Sequence, residues 1–276
     1  MSNDEKPPAV LFLHAHPDDE CILTGATLAK ASHLGVRTIV VYGTKGDAGE
    51  TSADLGDQTL GERRVDEAMA ACADLGVARV EWLAYADSGM AGTETTADPQ
   101  SFSKADPASV AEQLAELLAD ERIVAVVGYD ENGTYGHPDH IQVHRVANAA
   151  VTALDAPWVL DATYNREYLA SLPGGDGSLD PSFAAAEADL THFVAGEAWL
   201  QAKITAVSNH LSQVPDDWDA DNPDLEGFRA RFGTEWFIAR APGGATDLGP
   251  LAEVLMAKHL WADPTVGTSS SSRGGI

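Results

Sequence analysis

Two short segments, His16-Pro17-Asp18-Asp19-Glu20 and Gly136-His137-Pro138-Asp139-His140, each stand where an apolar run gives way to a helical pattern. Ala9–Leu13 reads as a buried strand, and Glu20 to Leu34 shows helical periodicity stopped by Gly35. The same alternation recurs along the chain. Strand Arg37–Tyr42 precedes helix Glu62–Leu75, strand Val80–Leu83 precedes helix Pro107–Asp120, and strand Ile123–Val127 precedes a helix from Pro138 to Leu154. A further strand is expected near Trp158–Leu160. Strands alternating with helices imply βαβ units, an α/β fold and a mostly parallel sheet flanked by helices. Such sheets carry ligands at the carboxyl ends of their strands, where both histidine segments fall.

Between these elements, Gly43–Gly61 with its five glycines, Ser88–Phe102 and Tyr129–Gly136 read as loops. After Tyr164 the pattern weakens. Gly174–Pro181 is loop-like, Glu197–Gln213 reads as a helix, Asp216–Asp224 is acidic and Glu235–Arg240 suits a late strand. The expected organisation is one domain over residues 8–265, with a core at 8–165 and a less regular C-terminal portion at 166–265. Residues 1–7 and the serine-rich 267–276 are expected to be flexible.

Composition narrows the partners. With 43 acidic against 17 basic residues the net charge is −26, which repels nucleic-acid backbones and anionic lipids, so neither nucleic acid nor membrane is expected. No run approaches the ~20 apolar residues of a membrane span. The acidic N-terminus lacks a signal-peptide pattern, so a cytoplasmic location is expected. Cys21 and Cys72 are too few for a disulfide framework and read as small buried hydrophobes. Cys21, just after the first histidine segment, is also a lesser thiolate-ligand candidate.

Imidazole and carboxylate both bind zinc, and a turn brings His16 and Asp19 together. Adjacent side chains do not readily face one ion, so Asp18 and Asp19 should differ in role. Alone, the first segment would serve equally as a helix N-terminus, where acidic residues favour the dipole. The second segment changes this by repeating His-Pro-Asp at a strand-to-helix junction, with Pro138 suited to the first helical position. Two such strand ends can supply three ligands and leave a fourth position open, the arrangement of catalytic zinc. Glycine fingerprints for dinucleotides and the Gly-x-Ser-x-Gly elbow of serine hydrolases are absent.

Ala15 to Glu20 and His137 to His140 resemble the paired motifs of the LmbE-like (PIG-L) metal-dependent N-deacetylases. Tyr129–Tyr135, Asp87–Met90, Arg64–Glu67 and, more thinly, Lys203–Gln213 are similar to its actinobacterial branch, which includes mycothiol-biosynthesis deacetylases and mycothiol-conjugate amidases. The resemblance implies a Rossmann-like fold, with His16, Asp19 and His140 binding Zn²⁺ and Asp18 as general base. It places Arg64 and Asp87 against substrate hydroxyls and Tyr135 beside the metal. Fe²⁺ also suits a two-histidine, one-carboxylate set. The implied reaction removes an acetyl group from a small N-acetylglucosamine-type substrate, giving acetate and a free amine. The alternatives are a mycothiol-conjugate-type amidase and a non-catalytic metal-containing sugar-binding protein.

Within that reaction His137, kept protonated by neighbouring carboxylates, is the expected oxyanion donor, and Tyr135 assists it or protonates the leaving amine. Asp139 is expected to orient and charge a histidine. His14 should be a packed histidine. His144 lies at the i,i+4 spacing of helical zinc sites, and only the family pattern sets it behind His140. Neither the oligomeric state nor the role of His210 follows from the sequence.

Overall fold

The computed structural model describes residues 6–172, 184–215, 218 and 225–261. Strand β1 (Pro8–His14) is buried from Ala9 to His14. Successive strand residues point to opposite faces, so an unbroken buried run means that both faces are covered. Helices α1 (Asp19–His33), α2 (Leu60–Asp74) and α3 (Pro107–Leu117) alternate with strands β2 (Arg37–Tyr42), β3 (Arg79–Trp82) and β4 (Arg122–Tyr129). A single turn, α4 (Gly133–Gly136), leads into α5 (Pro138–Ala153) and β5 (Trp158–Thr163). The remaining elements are α6 (Arg166–Ser171), β6 (His192–Ala195), α7 (Leu200–Val207), α8 (Leu225–Phe232), β7 (Thr234–Arg240) and β8 (Met256–Ala257).

The eight strands form one sheet in the order β3-β2-β1-β4-β5-β7-β6-β8. Its first five strands run parallel, giving the expected α/β, mostly parallel architecture. From β1 the chain winds outward through β2 and β3, then returns to place β4 and β5 on the other side of β1. Winding therefore reverses between β1 and β4, and a crevice opens above their carboxyl ends.

Local signals account for the element limits. Thr59 and Glu62 close a capping box that starts α2 two residues before its expected start, and Asp106 caps α3 with Pro107 at its first position. The expected helix Glu197–Gln213 is shorter: a 3₁₀ turn at Gly196–Trp199 precedes α7, which stops at Val207. Beyond it His210 and Ser212 turn inward to bond Glu20 and Glu67, and those tertiary contacts override the helical periodicity. The late strand appears as β7, antiparallel to β5, and joins the C-terminal portion to the same sheet. Strands β6 and β8 have four and two residues, too few for a readable alternation.

Lys6, in the segment expected to be flexible, makes two hydrogen bonds: its Nζ donates to the Ala119 carbonyl at 2.6 Å and its own carbonyl accepts from Arg122 at 3.1 Å. Residues 1–5, the 267–276 tail, the Gly174–Pro181 loop and most of Asp216–Asp224 lie outside the described residues. Cys21 and Cys72 are free and buried. Among the described residues no helix is long and apolar enough to cross a membrane.

A buried ion pair ties the C-terminal portion to α1. Lys203, fully buried, donates to the Ile22 carbonyl and to Glu235, both at 2.7 Å. Glu235 in turn accepts from the peptide N–H groups of Ala26 and Thr27 at 2.8 Å. The pair thus bonds backbone groups of α1 from Ile22 to Thr27, just beyond the first histidine segment. Removing one partner leaves the other charged and buried, which costs about 3–5 kcal/mol. Lys203→Ala should therefore lose about that much stability in urea denaturation; a loss below ~1 kcal/mol would contradict the role of the pair.

Candidate active site

His16 follows β1 directly, and Asp19 opens α1. The Asp19 Oδ2 accepts the His16 peptide N–H at 2.9 Å, which folds the short turn between them. That turn contains Asp18 at φ 107°, a left-handed conformation rarely adopted by a non-glycine residue. Across the crevice His137 caps α5 with its ring, Nδ1 accepting the Asp139 N–H at 3.1 Å, and Pro138 occupies the first helical position. His140 then projects from the first turn of α5. The preceding turn comes very close to it: a Cβ on Gly133 (φ +61°) would lie 2.7 Å from the His140 Cβ, so this position requires glycine.

Asp19 Oδ2 lies 3.6 Å from His16 Nδ1 and 3.3 Å from His140 Nε2. Donors around a tetrahedral ion at bond lengths of about 2.0–2.1 Å stand about 3.3 Å apart, and these two spacings come close to that. The far nitrogen of His16 faces Asp139 Oδ2 at 3.3 Å and Asp87 Oδ1 at 3.5 Å, the carboxylate backing common for ligand imidazoles. His16, His137 and His140 also bring one ring nitrogen each within 4.8 Å of one another, a second group that could hold a metal ion. Burial opposes charge on His16, yet its hydrogen bonds to Asp139 and Asp87 and the nearby Asp19 raise its pKa to about 10. Burial likewise works against the Asp19 carboxylate, but His140 and His16 hold it well below the usual range. Three buried carboxylates therefore surround two imidazoles, a cradle whose excess negative charge favours a dication.

Asp18 keeps 32 % of its side chain open. Loss of bulk water around it pushes its pKa up, Arg64 opposes the rise, and Asp19 adds to it. The Arg64 NH2 stands 3.3 Å from Asp18 Oδ2. Arg64 is a buried residue, not a surface one: NH2 also donates to the Pro17 carbonyl and NH1 to the Gly46 carbonyl at 2.9 Å. A Cβ on Gly46 (φ +69°) would lie 2.5 Å from the guanidinium, so the glycine-rich loop wraps this side chain. Asp87 is buried too, its oxygens accepting from Ala48 and Gly89. Both residues expected against substrate hydroxyls are thus already engaged by the protein.

The expected protonated His137 is corrected. Burial, with His16 and His140 beside it, lowers its pKa to about 4, and Nδ1 is committed as an acceptor. Asp139, expected to orient and charge a histidine, lies 3.3 Å from His16 Nε2, where it raises the pKa of that ring, and accepts from Ser88. The neutral ring keeps its Nε2 free to carry the donor hydrogen. The Tyr135 hydroxyl lies 3.2 Å from His140 Nε2, and burial with Asp19 and Asp18 nearby keeps the phenol protonated.

His14 is packed as expected, between the Tyr129 hydroxyl at 2.9 Å and Thr24 at 3.2 Å. His144 points away, to the Tyr129 carbonyl at 2.9 Å and a separate cleft of about 370 Å³ shared with Asp161 and Arg240. Cys21 donates to Glu20, and burial pushes its pKa well up, so it stays a thiol. The partnership of Glu20 with His210 escapes sequence reading, because 190 residues separate them.

Residues 11–151, about half of the chain, match the family model of GlcNAc-PI de-N-acetylases, PIG-L. A 1D-myo-inositol 2-acetamido-2-deoxy-alpha-D-glucopyranoside deacetylase from Acidothermus cellulolyticus is 38% identical over 265 residues, covering 83% of this chain and 88% of that relative. The chain belongs to the PIG-L family. Its PIG-L fold is shared by the N,N'-diacetylchitobiose deacetylase of Pyrococcus horikoshii, with a TM-score of 0.58, 22% identity and coverage of 86% and 85%. It is also shared by a 4-carboxy-2-hydroxymuconate hydratase from Pseudomonas putida KT2440, with a TM-score of 0.56, 19% identity and coverage of 87% and 99%. Fold alone therefore does not select the reaction, and PIG-L membership, which rests on sequence, indicates a hydrolytic N-deacetylase.

The two helix-α5 histidines give a direct check on the ligands. His140→Ala should lower divalent-metal affinity at least ~10-fold, whereas His144→Ala should keep wild-type metal content by elemental analysis. Equal losses would mean that the ligand set is misassigned.

Proposed function

We propose that the chain is a zinc-dependent N-deacetylase of an N-acetylglucosaminide, with 1D-myo-inositol 2-acetamido-2-deoxy-alpha-D-glucopyranoside as the first candidate substrate. The observation that carries this reading is the pairing of a three-atom metal cradle with an unligated, partly open Asp18 carboxylate. The substrate is that of the Acidothermus cellulolyticus deacetylase, which is 38% identical over most of both chains.

His16, Asp19 and His140 would hold the ion, which supplies Lewis-acid polarisation of the amide carbonyl and eases deprotonation of water. Asp18 takes a proton from the attacking water as its oxygen bonds the acetyl carbon. Arg64 fixes the Asp18 carboxylate from one side. His137, as a neutral imidazole, donates from Nε2 to the negative carbonyl oxygen. The carbon–nitrogen bond then breaks, and the proton held by Asp18 passes to the leaving nitrogen, with the Tyr135 phenol hydrogen-bonding there. Acetate and a free amine result. Asp87 and Asp139 act through His16, whose ring they orient; the segment Ser88–Phe102 and the loop containing Gly46 border the substrate.

Asp18→Asn should keep bound metal but lower kcat for acetate release by ~10²–10⁴-fold. Wild-type activity should vanish on chelation and return with zinc. Undiminished turnover by Asp18→Asn would remove the base assignment, and chelator-insensitive turnover would remove the metal from the reaction. Metal binding without acetate release from any N-acetyl sugar would favour a sugar-binding protein.

A further inference from the structure

Asp18 occupies φ 107°, ψ −30° at the start of α1, with no capping bond from its own side chain. A non-glycine residue persists in such a conformation only when its surroundings over-determine it. The Asp18 peptide N–H donates to Glu20 Oε2 at 2.9 Å. On its other side, the preceding Pro17 carbonyl is held by Arg64. Glu20 is completely buried, and its second oxygen accepts from His210 Nε2 at 2.7 Å and from the Cys21 thiol at 3.0 Å. Burial would raise the Glu20 pKa, but His210 beside it lowers it to about 2.

The turn that presents His210 is anchored in its own right. Ser212 donates its N–H and hydroxyl to Glu67 at 3.0 and 2.6 Å, and Glu67 lies on α2, one turn beyond Arg64. Glu20, Cys21 and His210 also have the chemistry of a metal site. Their separations of 2.7 and 3.0 Å from Glu20 Oε1 are hydrogen-bond lengths, shorter than the about 3.3 Å expected between donors sharing a tetrahedral ion.

We propose that Glu20 and His210 are positioning residues that hold the Asp18 peptide in its left-handed conformation and so aim its carboxylate into the crevice. The C-terminal portion would then contribute to the reaction through His210, outside residues 11–151 that carry the family match. The catalytic half of this proposal rests on Asp18 as the base; the structural half does not.

The experiment combines amide hydrogen exchange of Asp18 in metal-free protein with acetate-release kinetics on 1D-myo-inositol 2-acetamido-2-deoxy-alpha-D-glucopyranoside, metal content and melting temperature. Glu20→Ala should cut Asp18 amide protection at least ~10-fold. It should lower kcat by ~10–100-fold with KM within about twofold and metal retained, as expected for a misplaced group. Glu20→Gln, which keeps an acceptor oxygen, should recover most of both, and His210→Ala should fall between. In an Asp18→Ala background, Glu20→Ala should change the residual rate by less than about twofold.

Unchanged Asp18 protection in Glu20→Ala, or a kcat loss that multiplies fully with Asp18→Ala, would overturn the positioning role. Full activity of Asp18→Ala would instead overturn the base reading, with amide exchange still deciding whether Glu20 holds the peptide. Glu20→Gln and His210→Ala carry the exchange test should Glu20→Ala not fold.

Discussion

Parallel pairing of β1 with β4 is the constraint on which the site depends. The register running from Ala9 against Ile123 to Phe12 against Val127 brings the ends of two strands to one level, although more than a hundred residues separate them. His16 leaves one end, and His137 and His140 follow the other. Because winding reverses between these strands, no crossover helix lies over the gap, and the first turns of α1 and α5 both open into it. Neither motif could assemble the three-atom cradle alone.

That convergence has an electrostatic consequence. Asp19, Asp87 and Asp139 are buried within reach of His16, an arrangement that would be costly without either a proton on the ring or a cation between the donors. The same crowding disfavours charge on His137: two other imidazoles stand beside it, and its Nδ1 accepts the N–H of the helix cap. The ring of His137 packs edge-on against His16, and the Tyr135 hydroxyl lies against His140. Asp18 stands near enough to feel both Arg64 and Asp19.

The parallel half of the sheet was legible because each strand there is a buried apolar run followed by a clear helical period. The proposed ligands stand out in the sequence because His-Pro-Asp occurs at two junctions of that pattern. What could not be read depends on tertiary contact. Arg64 looks like a surface residue in its helix, since the loop that buries it folds back from Gly46 and Gly49. Glu20 looks like an ordinary first-turn acid until His210 arrives from 190 residues away. Lys203 and Glu235 look like surface charges, and only their contacts to the backbone of α1 show why both are buried. Strands β6 and β8 are set by pairing with β7, not by any periodicity of their own.

Anomalous diffraction at the zinc edge from metal-loaded crystals tests the central claim most directly. A single strong peak is expected between His16 Nδ1, Asp19 Oδ2 and His140 Nε2, at about 2.0–2.2 Å from each, with the Asp18 carboxylate outside bonding distance. A peak coordinated by His16, His137 and His140 without Asp19, or one at Glu20, Cys21 and His210, would contradict it.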